Sequence, residues 1–341
     1  MGRGWSILFA VVMFACLMSF VAAPFVGWWL PPQLSTHASR IDGLFYIILF
    51  ITGFFFILTE TLLIVFMWRF AAPPDGKPHV FGHHAMEKKV FWTSFFKRMF
   101  RPVSAFLHNQ HRVEMAWTLV PAAILLYIAF AQVGTWADVK YTSRQPPAGG
   151  KDGQPVQAEI SARQFEWRIR YPSTKAWADW KGNKAAADAW AKQRRHREID
   201  LQRQIDDVHV VNELHAIKDR PIVVQVRTID VIHSFNLPHM RVKQDALPGK
   251  VIPVWFTPTQ SNTKRTTRDG KPHWEDGGGH DPKTGKPNDV HQVWEIACAE
   301  LCGWGHYRMI GRLYVHPDEQ DFEAWLKHAE EEQNYRGGPT K

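Results

Sequence analysis

The sequence predicts a membrane anchor of two or three transmembrane helices at residues 1–137, joined to an all-β sandwich at 138–341. Long uncharged runs crowd the first third of the chain, and short β-branched and aromatic runs recur through the rest. Between them, Gln145–Gln154 is rich in Pro and Gly, as linkers between domains are. At 341 residues the chain exceeds one average domain. Its charged fraction of 22% and mean hydropathy of −0.28 exclude a chain made only of spans. Three cysteines exclude a disulfide-stapled secreted scaffold. The net charge of +8 divides as ten Lys/Arg against five Asp/Glu in 1–136, and 31 against 28 in 137–341. So even a balance excludes a uniformly basic nucleic-acid binder, and the lipid bilayer is the extended partner expected.

Three windows exceed the roughly 18 apolar residues that mark a bilayer span. Trp5–Leu30 and Met115–Ala137 carry no charge, and Gly43–Trp68 carries only Glu60. A carboxyl so deep in a span faces a partner or snorkels. The loop 69–112 holds eight Lys/Arg against Asp75 and Glu87, which keeps it cytoplasmic. Pro31–Asp42 and everything after about Ala137 then lie on the outer side. The window at 5–30 has a second reading, a secretory signal with small residues at Ala22-Ala23; its length favours an uncleaved span. Glu114, at the cytoplasmic entrance of the last span, is unremarkable by position alone.

Beyond the linker, strands are expected at Val156–Ile160, Phe165–Tyr171, Ile222–Val226, Val251–Phe256, Val290–Ile296 and Leu313–Val315. The spacing fits an antiparallel sandwich or barrel. Two stretches interrupt it. At about 173–207, eight Lys/Arg, six Asp/Glu and many Ala without Pro in Lys175–Asp207 predict a surface helical insertion. Residues 260–289, rich in Gly, Pro, Asp, Lys and Thr, predict a long irregular loop. Phe322–Gln333 predicts a terminal amphipathic helix.

The chemistry concentrates in Cys298-Ala-Glu300-Leu-Cys302-Gly-Trp-Gly-His306-Tyr-Arg-Met309. Two thiolates, an imidazole and a thioether are soft donors that favour copper. A disulfide, a zinc site and alignment on a helical face compete with that reading. Zinc sites use Cys and His without Met, and Gly303 and Gly305 disfavour a helix. A second imidazole is available at His233, in Asp230-Val-Ile-His233-Ser-Phe, although a lone histidine at a strand end is usually structural.

These motifs, with Lys243-Gln-Asp-Ala-Leu-Pro-Gly249 and Glu114-Met-Ala-Trp117-Thr-Leu-Val-Pro121, resemble subunit II of the haem-copper cytochrome c oxidases. The resemblance implies a cupredoxin-like Greek-key sandwich on a helical anchor. It implies two copper ions in a dinuclear centre, bridged by Cys298 and Cys302, with His233 and His306 as terminal imidazoles. Met309 and the Glu300 backbone carbonyl become weak ligands, and the Glu300 side chain reaches a magnesium or manganese ion at the border with subunit I. Glu114 becomes the mouth of a proton channel. The partners implied are subunit I, other oxidase subunits and a c-type cytochrome donor, in a bacterial plasma membrane with the copper domain on the periplasmic face. Electrons enter at an aromatic pair, here Phe165 and Trp167, within Gln164-Phe165-Glu166-Trp167.

The family has Trp where Phe165 stands, which points to a donor other than a soluble basic cytochrome, either membrane-anchored or held in a supercomplex. No Cys-x-x-Cys-His occurs in the sequence, so the donor haem is on another chain. A copper-containing nitric oxide reductase subunit and a membrane-tethered copper carrier are the alternative functions.

Overall fold

The computed structural model describes residues 4–69, 110–140, 156–182, 207–275 and 293–335. Nearly all of the basic loop, most of the 173–207 insertion, the Pro/Gly linker and the later part of the 260–289 insertion lie outside the described residues. The chain divides into two compact units, residues 1–30 with 44–134 and residues 31–43 with 135–341.

Among the described residues, the first unit draws on three long helices, α1 (Gly4–Ala22), α2 (Ala38–Arg69) and α3 (Gln110–Lys140). The stretches Gly4–Val26, Ala38–Trp68 and His111–Lys140 are long and apolar enough to cross a bilayer. Inside lipid, backbone polar groups must be satisfied within the segment, and a helix does that residue by residue. The hydroxyls of Ser19, Thr52 and Thr59 follow the same rule, each donating to the carbonyl four residues earlier. Phe14, Phe50, Leu125 and Phe130 point outward and are exposed, as on helices that are apolar all round.

The second unit is a sandwich of two five-stranded sheets. One runs β3 (Val208–Val211), β2 (Glu166–Tyr171), β1 (Val156–Arg163), β5 (Ile222–Thr228) and β8 (Ile252–Phe256). The other runs β4 (Glu213–Ile217), β12 (Ile310–His316), β11 (Trp294–Cys298), β6 (His233–Leu237) and β7 (Val242–Ala246). Alternation explains the layers. In β2 the buried residues are Trp167, Ile169 and Tyr171; in β12 Gly311, Leu313 and Val315 alternate inward and His316 at its end is buried too. They meet Ile160, Leu214, Val224, Phe235 and Ile296 in one core, each large side chain adding roughly 1.5–3 kcal/mol by leaving water.

Two pairings correct the expectation of a purely antiparallel sandwich: β1 pairs with β5, and β4 with β12, in parallel. Parallel neighbours need connections that leave the sheet and return, and a sequence read strand by strand does not reveal them. A second correction concerns 260–289. Residues 264–275 form a two-stranded hairpin, β9 (Lys264–Arg268) and β10 (Lys271–Glu275). Asp269 and Gly270, with φ of 51° and 75°, make its turn, the backbone that Asp-Gly favours between strands. β9 has no buried residue and β10 buries only Trp274, so no alternation of apolar residues signals them. The expected insertion helix exists at least as α4 (Thr174–Gly182), and the terminal helix as α5 (Glu319–Tyr335), which buries Phe322, Trp325 and Leu326.

The segment 31–43 is tied to the sandwich by Arg241, whose guanidinium donates to both carboxylate oxygens of Asp42 (2.7 and 2.8 Å) and to the Pro31 carbonyl (2.7 Å). At the α5 side of the core, His215 Nδ1 lies 2.9 Å from His316 Nε2, and His316 Nδ1 lies 2.7 Å from Asp321 Oδ2. The His215 ring stacks on Trp325 at 3.6 Å. Burial holds both histidines below the ordinary value of 6.5, aided at His215 by its neighbour His316 and opposed at His316 by Asp321.

Both rings are therefore neutral in the folded domain, while the unfolded chain binds protons below about pH 6.5. The stability they permit is complete above that pH and declines as pH falls through it, by up to about 1.4 kcal/mol per pH unit for each histidine. Thermal denaturation from about pH 7.5 to about pH 5 should show a falling Tm. His215→Phe should lose part of that slope.

Candidate metal centre

One end of the second sheet gathers the predicted ligands. Strand β6 begins at His233 and β11 ends at Cys298, where Cys298 pairs with Phe235. The chain then turns through 299–309 and returns as β12. The Cys298 amide donates to the Met309 carbonyl (3.2 Å), and the Ala299 amide to the Ser234 carbonyl (3.0 Å). Gly303, at φ 131°, makes the bend, and a single helical turn at His306–Arg308 presents His306.

The donor atoms fall into a row. His233 Nδ1 lies 3.8 Å from Cys298 Sγ, Cys298 Sγ lies 3.8 Å from Cys302 Sγ, and Cys302 Sγ lies 3.5 Å from His306 Nδ1. The Met309 sulfur lies 3.8 Å from Cys302 Sγ, and the Glu300 carbonyl oxygen lies 3.2 Å from Cys298 Sγ. All three cysteines are free thiols, so no disulfide joins Cys298 to Cys302. The donor atoms of His233, Cys298 and Cys302 fall within 4.8 Å of one another. His233, Cys302 and Met309 are buried, Cys298 and His306 half-buried, and the Glu300 side chain is exposed. Two sulfurs at the centre, one nitrogen at each end and one weaker donor beside each sulfur are a set suited to copper.

Outer residues hold this row. His233 Nε2 bonds Asp230 Oδ1 (2.8 Å), which leaves Nδ1 facing Cys298. Burial raises the Asp230 carboxyl, but the Gln164 amide, His233 and the Val231 amide outweigh this and hold it below its usual value. The Gln164 side-chain amide donates to the Cys302 carbonyl at 2.6 Å. Phe165 closes against the loop. A Cβ on Gly305 would meet Phe165 Cδ2 at 2.5 Å, so only glycine fits there.

The expected entry aromatics sit differently from one another. Trp167 is fully buried, with its ring 5.8 Å from Phe235 and 6.4 Å from His233. Phe165 is half-buried beneath Trp304, whose ring meets it edge-on at 5.3 Å. Sequence reasoning missed Asp230, Gln164 and Trp304, although all three lay inside motifs it singled out. In the other unit, Glu114 stands near the start of α3 with Oε2 3.5 Å from His111 Nδ1, its side chain 43% exposed.

Residues 161–264 match the family "Cytochrome C oxidase subunit II, periplasmic domain", and residues 95–133 match "Cytochrome C oxidase subunit II, transmembrane domain". His233 lies inside the first match and the 298–309 loop beyond it. The chain is 24% identical to the alternative cytochrome c oxidase subunit 2 of Bradyrhizobium diazoefficiens, over 89% of this chain and 84% of that one. It is 25% identical to cytochrome c oxidase subunit 2 of Thermostichus vulcanus, over 95% and 84%. A crystal structure of the periplasmic domain of subunit II of the cytochrome oxidase of Bradyrhizobium japonicum overlays with a TM-score of 0.32 at 19% identity, covering 52% of this chain and 94% of that one.

The two thiols differ before any metal arrives. Burial pushes Cys298 up, but its hydrogen bond with His233 and the backbone at Ser234 and Glu300 bring it down to about 6. Burial and the charge on Cys298 push Cys302 up to about 11. Since the thiolate is the nucleophile, iodoacetamide at neutral pH should alkylate Cys298 well before Cys302 in metal-free protein. Peptide mapping against time reads the order, and Asp230→Asn should slow the reaction at Cys298.

Proposed function

We propose that this chain, which belongs to the subunit II family of haem-copper oxidases, is the electron-entry subunit of a proton-translocating terminal oxidase that reduces oxygen to water. It is one subunit of a membrane-bound oxidoreductase and carries a periplasmic domain. The proposal places it in a bacterial plasma membrane beside subunit I, receiving electrons from a c-type cytochrome. The observation that carries this reading is the row His233–Cys298–Cys302–His306 flanked by Met309 and the Glu300 carbonyl.

Cys298 and Cys302 would hold two copper ions between them, with His233 and His306 at the outer ends and Met309 and the Glu300 carbonyl as weak donors. Such a pair shares one electron between two metals and passes it on with little rearrangement. The protein's contribution is rigidity. Two ligands sit at the ends of paired strands, Asp230 fixes the His233 ring, and Gln164 pins the Cys302 backbone. Ligands fixed this way do not relax when the charge changes, which keeps transfer fast. Glu300, whose side chain is exposed, would hold magnesium or manganese at the border with subunit I. Glu114 would take protons at the cytoplasmic side.

Metal analysis of the loaded protein should give two coppers per chain, with an EPR hyperfine pattern from one electron spread over both nuclei. The hyperfine pattern of an electron confined to one copper nucleus would overturn the assignment. Cys302→Ser should abolish the shared-electron spectrum, because a protonated hydroxyl is a hard and poor ligand. Met309→Leu should keep both metals and shift the potential, since weak axial donors tune more than they hold.

Proton uptake is tested separately. Glu114→Gln should slow steady-state oxygen reduction in the assembled enzyme by about tenfold, while the donor still reduces copper at the wild-type rate. Equal turnover would return Glu114 to an ordinary surface carboxylate.

A further inference from the structure

The resemblance implies electron entry at Phe165 and Trp167, yet neither ring is exposed. Trp167 is fully buried, and Phe165 lies half-buried against Gly305 and under Trp304. Trp304 is different. It is 74% exposed, and it stands in the loop between two ligands, Cys302 and His306. Its ring is fixed on two sides: Phe165 meets it edge-on, and the Arg308 guanidinium lies over it at 4.4 Å. A large aromatic held rigidly in water has already lost the freedom that binding would otherwise remove. Its neighbours extend the apolar surface. Leu301, Tyr307 and Ile310 are exposed on the same loop and its exit, and Ile229 and Ile232 on the loop that leads into His233. Exposed apolar surface of this kind marks an interaction site.

We propose that Trp304 is the residue through which this chain receives electrons, in contact with the haem edge of a c-type cytochrome. The inference rests on the copper reading above and adds the place of entry. The step is outer-sphere. A ferrous haem loses one electron and becomes ferric, the copper pair gains that electron, and no bond or proton changes at Trp304. The cation over the indole disfavours its oxidation, so the ring serves as the path and not as a stopping point. The covalent chain from Trp304 reaches Cys302 through Gly303 and His306 through Gly305, which makes it a short route from solvent to the ligands.

Charge selects the donor. Arg308 sits at the centre of the patch, and Arg163 and Arg168 flank Phe165, with Glu166 bonded to both of those arginines at 2.7 Å. Asp230 is engaged by His233 and the Gln164 amide. The matching face is apolar around the haem edge with acidic groups at its rim, which a basic cytochrome does not present.

The test uses the intact oxidase in native membranes, so that whichever c-type haem feeds it is present. After a pulse of oxygen to reduced membranes carrying wild-type, Trp304→Phe or Trp304→Ala chains, oxidation of that haem is followed optically. Trp304→Phe should slow it by about tenfold and Trp304→Ala by at least as much, as loss of a central interface Trp does. Reduction of the purified enzyme's copper by hexaammineruthenium(II) should stay within about twofold of wild type, with the copper EPR spectrum unchanged. Haem oxidation within about twofold of wild type in both variants would overturn the proposal. So would an altered copper spectrum in both, or loss of subunit I from the purified variants, which would make this face a subunit contact. Absence of the shared-electron spectrum from the wild-type enzyme would instead sink the copper reading beneath it.

Discussion

The amide of Cys298 donates to the carbonyl of Met309 at 3.2 Å, where β11 ends and β12 begins, and the metal end of the sandwich depends on that closure. It makes the loop 299–308 a closed excursion from one sheet, flanked by Cys298 and Met309, two of the proposed ligands. A strand pair in a packed core cannot shift by a residue without turning its buried side chains to solvent. The register that buries Ile296 and Leu313 therefore also fixes the two ends of the ligand set. Strand β6, on the other side of β11, brings in His233 under the same constraint.

That frame holds two thiols 3.8 Å apart without oxidising them. Placing two negative sulfurs so close is costly: the hydrogen bond with His233 lowers Cys298, and burial together with the charge on Cys298 raises Cys302. A cation between them removes the conflict. The arrangement suits a metal, and the part-buried Asp230–His233 contact orients the ring of a proposed ligand.

Much of this was legible in the residues. Cys298, Cys302, His306 and Met309 are close in sequence, so their chemistry could be read as one pattern. His233 is remote from them, and nothing local distinguishes it from a structural histidine; only the resemblance linked it to the site. Gln164 acts through a contact with Cys302 that no spacing rule encodes, whereas Asp230 reaches His233 only three residues along the chain. Strands with alternating cores, such as β2 and β12, were readable, whereas β9 and β10 were not, because β9 buries no residue and β10 only Trp274. The parallel pairings of β1 with β5 and β4 with β12 are properties of the whole chain path, and composition does not record them.

The contact between Phe165 and Gly305 has an evolutionary corollary. The hydrogen at position 305 is the space that an aromatic ring at 165 occupies, with a Cβ there 2.5 Å from that ring. These two positions, far apart in the chain, are free to drift only together. With the loop and ring placed as here, a larger residue at 305 requires residue 165 to shrink or re-aim. Exchange between lineages at position 165 is therefore constrained by steric history as much as by redox chemistry.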